Sequence, residues 1–419
     1  PGKEPPVNAS RVAALLKSLG VAVTRRRGLG LAAGGALAAL SGAAQAAPDA
    51  PSCRKANRSC SKTNRCCKGM ACRKGRCIRV CTKACARTTP ICCNGRCSPG
   101  IWRADSTIGS GPGTAPSQFQ RPAGSALSAD GATLLVADGD NQRIAVWTKT
   151  GASWTPQTTF GSGPGAGDTQ FDYPMGVTLS PDGLSAYVSD TNNDRISIWS
   201  RPDVNSAAWT WAGKFGATGW GLGQLSRPCS LAFSSNGLTC WIADSFNSRV
   251  SIWNRPSAGS LTWSNQTVFG SFGSAANELN NPAGIAVVPG DRAVLMADLG
   301  NNRVSMWAYR GGAWAPQTTF GTIGIGPGQM QDPWSVALSP DGLVAWVAEY
   351  TNNRVSIWTR PDAASSAWTE QTTFGSGPGT APNQFHYLTG LSVTPDGRTA
   401  YVSDLENNRL TVWQRGCQP

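Results

Sequence analysis

From residue 101 onward, apolar residues fall into short runs separated by Gly- and Pro-rich turns, and the runs recur in phase. The clearest element is N-x-R-[IVL]-x-[IVM]-W, at Asn141–Trp147, Asn193–Trp199, Asn247–Trp253, Asn301–Trp307, Asn352–Trp358 and Asn407–Trp413, spaced 51–55 residues apart. Five residues before each arginine stands an acid: Asp138, Asp190, Asp244, Asp298, Glu349 and Asp404. Upstream, turns such as Pro181-Asp182-Gly183 join two β-rich runs; downstream, a W-x5-[FI]-G segment leads into a Gly-rich loop ending near a proline. Each unit predicts four short strands: A after the proline, B ending at the acid, C from Arg to Trp, and D from the next Trp to Phe-Gly. These strands are apolar on both sides, as Val188, Ile196, Ile198 and Trp199 show. One such sheet cannot bury both faces, whereas six stacked radially cover each other.

The ring's closure is legible in the same pattern. Trp154, Trp209, Trp263, Trp314 and Trp368 each precede a phenylalanine by six residues (Phe160, Phe215, Phe269, Phe320 and Phe374), while the chain ends soon after Trp413 with no D strand. A stray copy of that segment, Trp102 to Ile108, precedes the first unit. The expected fold is therefore all-β: a six-bladed β-propeller of four-stranded blades over residues 101–419, closed by the N-terminal strand 101–109, which covers a sheet edge. Antiparallel pairing at that seam sends Cys97 and Cys417 out from the same end, so a Cys97–Cys417 disulfide would clasp the ring. Cys229 and Cys240 read as small buried hydrophobes.

Six in-phase copies of acid, Asn, Arg and Trp resemble the NHL-repeat family of six-bladed propellers. That resemblance implies a scaffold that commonly binds proteins and sometimes binds RNA through a basic face. The six pairs Asp138/Arg143, Asp190/Arg195, Asp244/Arg249, Asp298/Arg303, Glu349/Arg354 and Asp404/Arg409 read as blade staples, since one chemical step needs no six identical placements. Each acid is expected to accept backbone N–H groups in the B–C turn while reaching its arginine.

Composition splits the 419-residue chain. Residues 1–100 hold 19 Lys/Arg against Glu4 and Asp49, whereas residues 101–419 hold 18 against 22 acids. The propeller is thus mildly acidic and unsuited to a phosphate backbone, so nucleic acid is not an expected partner. Eleven of the 14 cysteines lie between Cys53 and Cys97. Their spacing in residues 53–77 resembles the knottin framework, which implies the disulfides Cys53–Cys67, Cys60–Cys72 and Cys66–Cys77; residues 81–97 form a degenerate second copy. Cross-links would supply the stability that so short a segment cannot draw from a core, with zinc as the rival use of the cysteines. Thirteen Lys/Arg and no acid in residues 53–97 suit either docking on an anionic cell-wall polymer or lipid surface, or a solvated tether.

Ahead of this segment, Arg25-Arg26-Arg27, a weakly apolar Gly/Ala run and Ala44-Gln45-Ala46 resemble a bacterial twin-arginine export signal with a small-x-small cleavage site, making residues 1–47 a removable leader. An uncleaved membrane anchor is the alternative. The expected location is exported, extracellular or cell-surface, and the expected state monomeric.

A single histidine, His386, excludes a His-cluster zinc site or a Ser-His-Asp array elsewhere. It also departs from the NHL-type amidating lyases, which use several histidines. Gluconolactonase-like propellers hold a cation with carboxylates in the channel, but the inner strands here begin Ala123-Gly124-Ser125, Met175-Gly176-Val177, Cys229-Ser230-Leu231, Ala283-Gly284-Ile285, Trp334-Ser335-Val336 and Thr389-Gly390-Leu391. Hard-cation ligands are missing there, so no catalytic residue, metal or cofactor is assigned. Difference between copies points instead to the face carrying the D–A and B–C loops. The candidate ligand face comprises Arg121, Asp172, Tyr173, Arg227, Phe246, Asp332, Tyr350, His386 and Tyr387, with Asp140, Leu299, Leu405 and Glu406 as variable turn tips. The reading is an exported binding or scaffold protein whose loop face recognises protein or glycan; the alternative is a lactonase- or lyase-type propeller enzyme.

Overall fold

The computed structural model describes residues 100–416 and, before them, the backbone of four short strands: Met70–Arg73, Arg76–Arg79, Ile91–Cys93 and Arg96–Ser98. The chain divides into two units, residues 1–99 and 100–419. In the first unit, the strands form two antiparallel hairpins that place Cys72 opposite Cys77 and Cys92 opposite Cys97. The expected leader lies outside the described residues, and each of the four expected disulfides has at least one cysteine outside them.

The second unit is a ring of six four-stranded antiparallel sheets. Blade two is representative, running from the axis outward as A (Pro174–Leu179), B (Ser185–Asp190), C (Arg195–Ser200) and D (Thr210–Phe215). The other A strands are Pro122–Leu127, Pro228–Phe233, Pro282–Val288, Pro333–Leu338 and Leu388–Val393; each packs beside the next, and the last returns to the first. Blade six takes its D strand from the front of the propeller: Ile101–Ile108 pairs with Arg409–Gly416, from Leu410 opposite Ile108 to Gly416 opposite Ile101. The expected closure is therefore present, and no blade is left with a bare outer edge on its C strand.

Close approach at the axis explains the small residues of the A strands. A Cβ on Gly176 would lie 2.2 Å from the Cys229 carbonyl oxygen, and one on Gly390 would lie 2.2 Å from that of Ala123. Further out, aromatic rings join the wedges. Phe215 of blade two meets Trp253 at 4.8 Å and Trp263 at 5.5 Å in blade three. Phe269 repeats this with Trp307 at 4.8 Å and Trp314 at 5.1 Å. The recurring Trp and Phe thus pack between sheets, where each buried ring removes a large apolar area from water.

Two further sets of contacts were not read from the sequence. The residue before each repeat arginine is left-handed, and in most blades its side chain bonds the next blade. Asn408 Oδ1 accepts the N–H of Arg121 at 2.8 Å, Asp194 Oδ1 that of Arg227 at 2.7 Å, and Asn353 Oδ1 that of Tyr387 at 2.7 Å. Arg201, Arg255 and Arg360 lie over Trp209, Trp263 and Trp368 at 5.0, 5.1 and 5.2 Å. Each also donates from Nε to a glycine carbonyl of its A–B turn at 2.8 Å. The Arg-Pro pair after the C-strand Trp of these three blades was the available signal.

Candidate functional site

The six acids are fully buried at the ends of their B strands. In blade two, Asp190 Oδ2 accepts from Arg195 Nε at 2.7 Å and Asn193 Nδ2 at 2.9 Å, while Oδ1 accepts the backbone N–H of Asp172 at 2.7 Å. The other five pairs form as the sequence predicts. Nε of Arg143 meets Asp138 at 2.8 Å, Arg249 meets Asp244 at 2.7 Å, and Arg303 meets Asp298 at 2.7 Å. Arg354 meets Glu349 at 2.9 Å and Arg409 meets Asp404 at 2.8 Å.

One expectation about these staples needs correction, and one feature goes beyond it. The N–H that the acid accepts in blade two comes from the loop entering the blade, not from the B–C turn. Gln120, Ser226, Asn280 and His386 donate in the same way in blades one, three, four and six. Nor do the arginines serve their acids alone, because a guanidinium has five N–H donors and one carboxylate oxygen takes only Nε. The remaining donors grip carbonyls of the entering loop: Arg143 those of Thr114, Ala115 and Gln118, and Arg195 those of Ala166, Gly167 and Gln170. Arg249 holds Trp220, Gly221 and Gln224, and Arg303 holds Ser274, Ala275 and Glu278. Arg354 holds Ile325 and Gln329, and Arg409 holds Thr380, Ala381 and Gln384. Each pair therefore locks the D–A loop onto the sheet. Burial raises the carboxyl pKa of Asp138, Asp190, Asp244, Asp298, Glu349 and Asp404 against the lowering pull of the arginine and amide partners. Glu349, one methylene longer, leaves Oε1 buried without a partner.

The same locking brings the entering loops and B–C turns together on one face, and there the blades differ. The residue before the A strand is left-handed in all six blades: Arg121, Tyr173, Arg227, Asn281, Asp332 and Tyr387 have φ between 47° and 63°. That conformation is costly for side chains of this size, and the staples and inter-blade bonds hold it. Several of these side chains turn inward instead of forming exposed tips. Arg121 is 5% exposed, and Tyr173, Asp332 and Tyr350 are likewise buried.

Arg121 of blade one is the hub. Its Nη2 pairs with Glu406 of blade six at 3.0 Å, and its charge acts on Tyr173 of blade two, Asp140 of its own B–C turn and Tyr350 of blade five. Tyr350 in turn senses Tyr173, which lies on a blade opposite its own. Blades one, two, five and six have only the axis in common, so these groups stand over the mouth of the central channel. Beside them, a stack runs Trp334–Tyr350–Tyr387–His386, with centroid spacings of 5.1, 4.4 and 4.8 Å, from the buried channel wall to exposed His386.

The polar balance of this mouth is incomplete. Nε and Nη1 of Arg121 and Oδ1 of Asp140 are buried with no hydrogen-bond partner. Burial pushes the Asp140 carboxyl up to about 6; Arg121 opposes that shift, while Glu406 and Asp138 add to it. Burial likewise raises the phenols of Tyr173 and Tyr350, so both remain protonated donors. Asp140 and Glu406 were visible in the sequence as variable turn tips, but nothing there placed them against Arg121.

The other candidates stand apart from this group. Arg227 lies over the ring of half-exposed Phe246 at 4.7 Å. Asp172 accepts from Asn192 Nδ2 at 2.9 Å, and Asp332 accepts from the Thr351 hydroxyl, so each ties down its own blade's B–C turn. Leu299 and Leu405 are buried. A set not anticipated is apolar: Trp220 and Leu222, Phe272, and Ile323 and Ile325 project from the entering loops of blades three, four and five, with Trp220 82% and Phe272 74% exposed. The matching stretches of blades one, two and six read Gly-Pro-Gly around Pro112, Pro164 and Pro378.

Below the mouth, the channel holds a cavity of about 180 Å3 lined by Met175, Cys229, Ala283, Trp334 and Thr389 with their strand neighbours, and no carboxylate lines it. Cys229 and Met175 bring their sulfurs within 3.9 Å there, and burial pushes the Cys229 thiol up to about 11. Cys240 is fully buried. Among the described residues, no group of three or more His, Cys, Asp or Glu is placed to hold a metal ion.

Comparison with known proteins bears on the fold and family. Residues 166–416, from the loop entering blade two to the end of the last strand, match the family model described as Lactonase, 7-bladed beta-propeller. No curated protein matches the sequence. Among solved structures, a functionally unknown protein from Desulfotomaculum acetoxidans DSM 771 is similar over 70% of this chain and 82% of its own, with TM-score 0.50 and 14% identity. At that identity the likeness speaks for the fold alone.

Proposed function

The chain belongs to the lactonase, 7-bladed beta-propeller family, here with six blades, and on that footing we propose that it is an exported binding module presenting its loop face for protein or glycan recognition. The observation that carries this reading is the contrast between sameness and difference. Acid–arginine staples repeat in every blade, whereas exposed Trp220, Leu222, Phe272, Ile323 and Ile325 occur on three consecutive blades of one face only. Exposed apolar groups have no architectural role at loop tips, and clusters of them mark contact surfaces. Arg249 and Arg354 grip the backbone carbonyls of Trp220 and Ile325, so the staples hold these tips in place. The resemblance of the repeat to NHL propellers supports the same reading, and the basic, cysteine-rich segment would serve as the tether.

The test is capture from the native cell surface with the full chain and with a Trp220→Ser/Phe272→Ser/Ile325→Ser variant of unchanged melting temperature. Capture of one partner, lost in the variant, is the expected result. Equal capture by both chains would remove the role of this face.

A second reading is favoured by the family name and by the charge of Arg121 acting on Asp140: hydrolysis of a lactone at the axial mouth. Water would attack the acyl carbon with Asp140 taking its proton and Arg121 holding the developing oxyanion; the ring C–O bond would then break, with Asp140 returning the proton to the departing alkoxide. Lactone turnover by the full chain, lost in Asp140→Asn, would establish it. Stoichiometric calcium or zinc in the purified protein would instead point to a metal-dependent enzyme.

A further inference from the structure

We infer that the axial mouth is the seat of a neutral polyhydroxylated molecule, such as the end of a glycan; this deepens, and rests on, the reading of the loop face as a recognition surface. Arg121, 5% exposed, holds Nε and Nη1 without partners, and Asp140 holds Oδ1 in the same state. Leaving a buried polar group unpaired is costly, and leaving a charged one unpaired more so. Such groups persist where a bound molecule completes them.

Complementarity selects the chemistry. The mouth offers donors in the two free N–H groups of Arg121 and an acceptor in Asp140. Glu406 is a second carboxylate, and the Tyr173 and Tyr350 hydroxyls lie in the same electrostatic neighbourhood. A simple anion would meet two carboxylates, and a simple cation would meet the guanidinium. An apolar molecule would leave Nε and Nη1 of Arg121 and Oδ1 of Asp140 unpaired. Adjacent hydroxyls, each both donor and acceptor, satisfy the mixture. The neighbouring rings of Tyr350 and Tyr387, stacked at 4.4 Å with planes 9° apart, hold one wall rigid. Glu406 is the outermost member of the Arg121 pair, its side chain 28% exposed, so a ligand enters past it and shares Arg121 with it.

The experiment uses the full chain and five probes: glucose, galactose, mannose, N-acetylglucosamine and myo-inositol, up to tens of millimolar, read by saturation-transfer NMR and calorimetry. At least one should bind. Its affinity should fall tenfold or more in Arg121→Met and Asp140→Asn and stay unchanged in Leu261→Ser, an exposed residue of the C–D connection of blade three. Tyr350→Phe, which removes a single hydroxyl and keeps the stack, gives an independent reading should Arg121→Met unfold. If no probe binds, or gluconate binds more tightly than glucose, the inference is overturned. A bound sugar whose affinity falls in Phe272→Ser but not in Arg121→Met, Asp140→Asn or Tyr350→Phe would overturn the seat while leaving the loop face as the recognition surface.

Discussion

Trp102, near the start of the propeller, stacks on Phe374 of blade five with ring centroids 4.9 Å apart and planes at 21°. Blade six therefore joins its neighbour through a residue from the other end of the chain. Its D strand repeats the contact that Trp263 makes with Phe215, and the same strand supplies Ile108 to the core of blade one.

Trp102→Ala should consequently act as a closure mutation. Loss of a buried tryptophan costs about 3–5 kcal/mol. Deletion of residues 101–109 should be worse, because it also bares the edge of Arg409–Gly416. Thermal and urea unfolding check both. An unchanged melt in the deletion would mean that the seam carries no stability.

Arg195→Met should destabilise the propeller by about 3–5 kcal/mol, the usual effect of stranding one partner of a buried pair. Asp190 would stay fully buried, and three loop carbonyls would lose their donor. Asp190→Asn should cost less, since its amide oxygen still offers an acceptor and the guanidinium of Arg195 keeps its three loop carbonyls. Denaturation midpoints of the two variants decide the order.

The pH dependence of stability should carry a mark of Asp140. Its carboxyl is raised from an ordinary 3.8 to about 6 in the folded protein, so between these values the folded state holds the proton more firmly than the unfolded one. Stability contributed by the neutral form is present below the ordinary value and is lost as pH rises through about 6. Between about pH 4 and 7 the melting temperature of the parent should therefore fall more than that of Asp140→Asn. Parallel profiles would show that Asp140 titrates normally.

Phe215→Ala should remove one of the aromatic joints between blades two and three. The expected loss is about 3–5 kcal/mol, with a shift in tryptophan emission as Trp253 and Trp263 lose their neighbour. An emission spectrum unchanged from the parent would contradict the sandwich.

By itself the sequence determined the ring. Period, strand order and closure are written in residues that recur, because each blade must bury the same two faces against the same neighbours. Asp190, Arg195 and Trp199 could be found by their spacing alone. Spacing paired Arg143, Arg249, Arg303 and Arg354 with their acids too, but it could not show which loop carbonyls their remaining donors would reach. The mouth is different. Arg121, Asp140, Tyr350 and Glu406 lie far apart along the chain, in blades that share no motif at those positions. Only closure of the ring brings blades one, five and six around a common axis, and only the left-handed turn before each inner strand aims Arg121 and Tyr173 inward. Periodicity records what every blade must do; a convergence of single side chains from different blades has no period, so tertiary structure alone decides it.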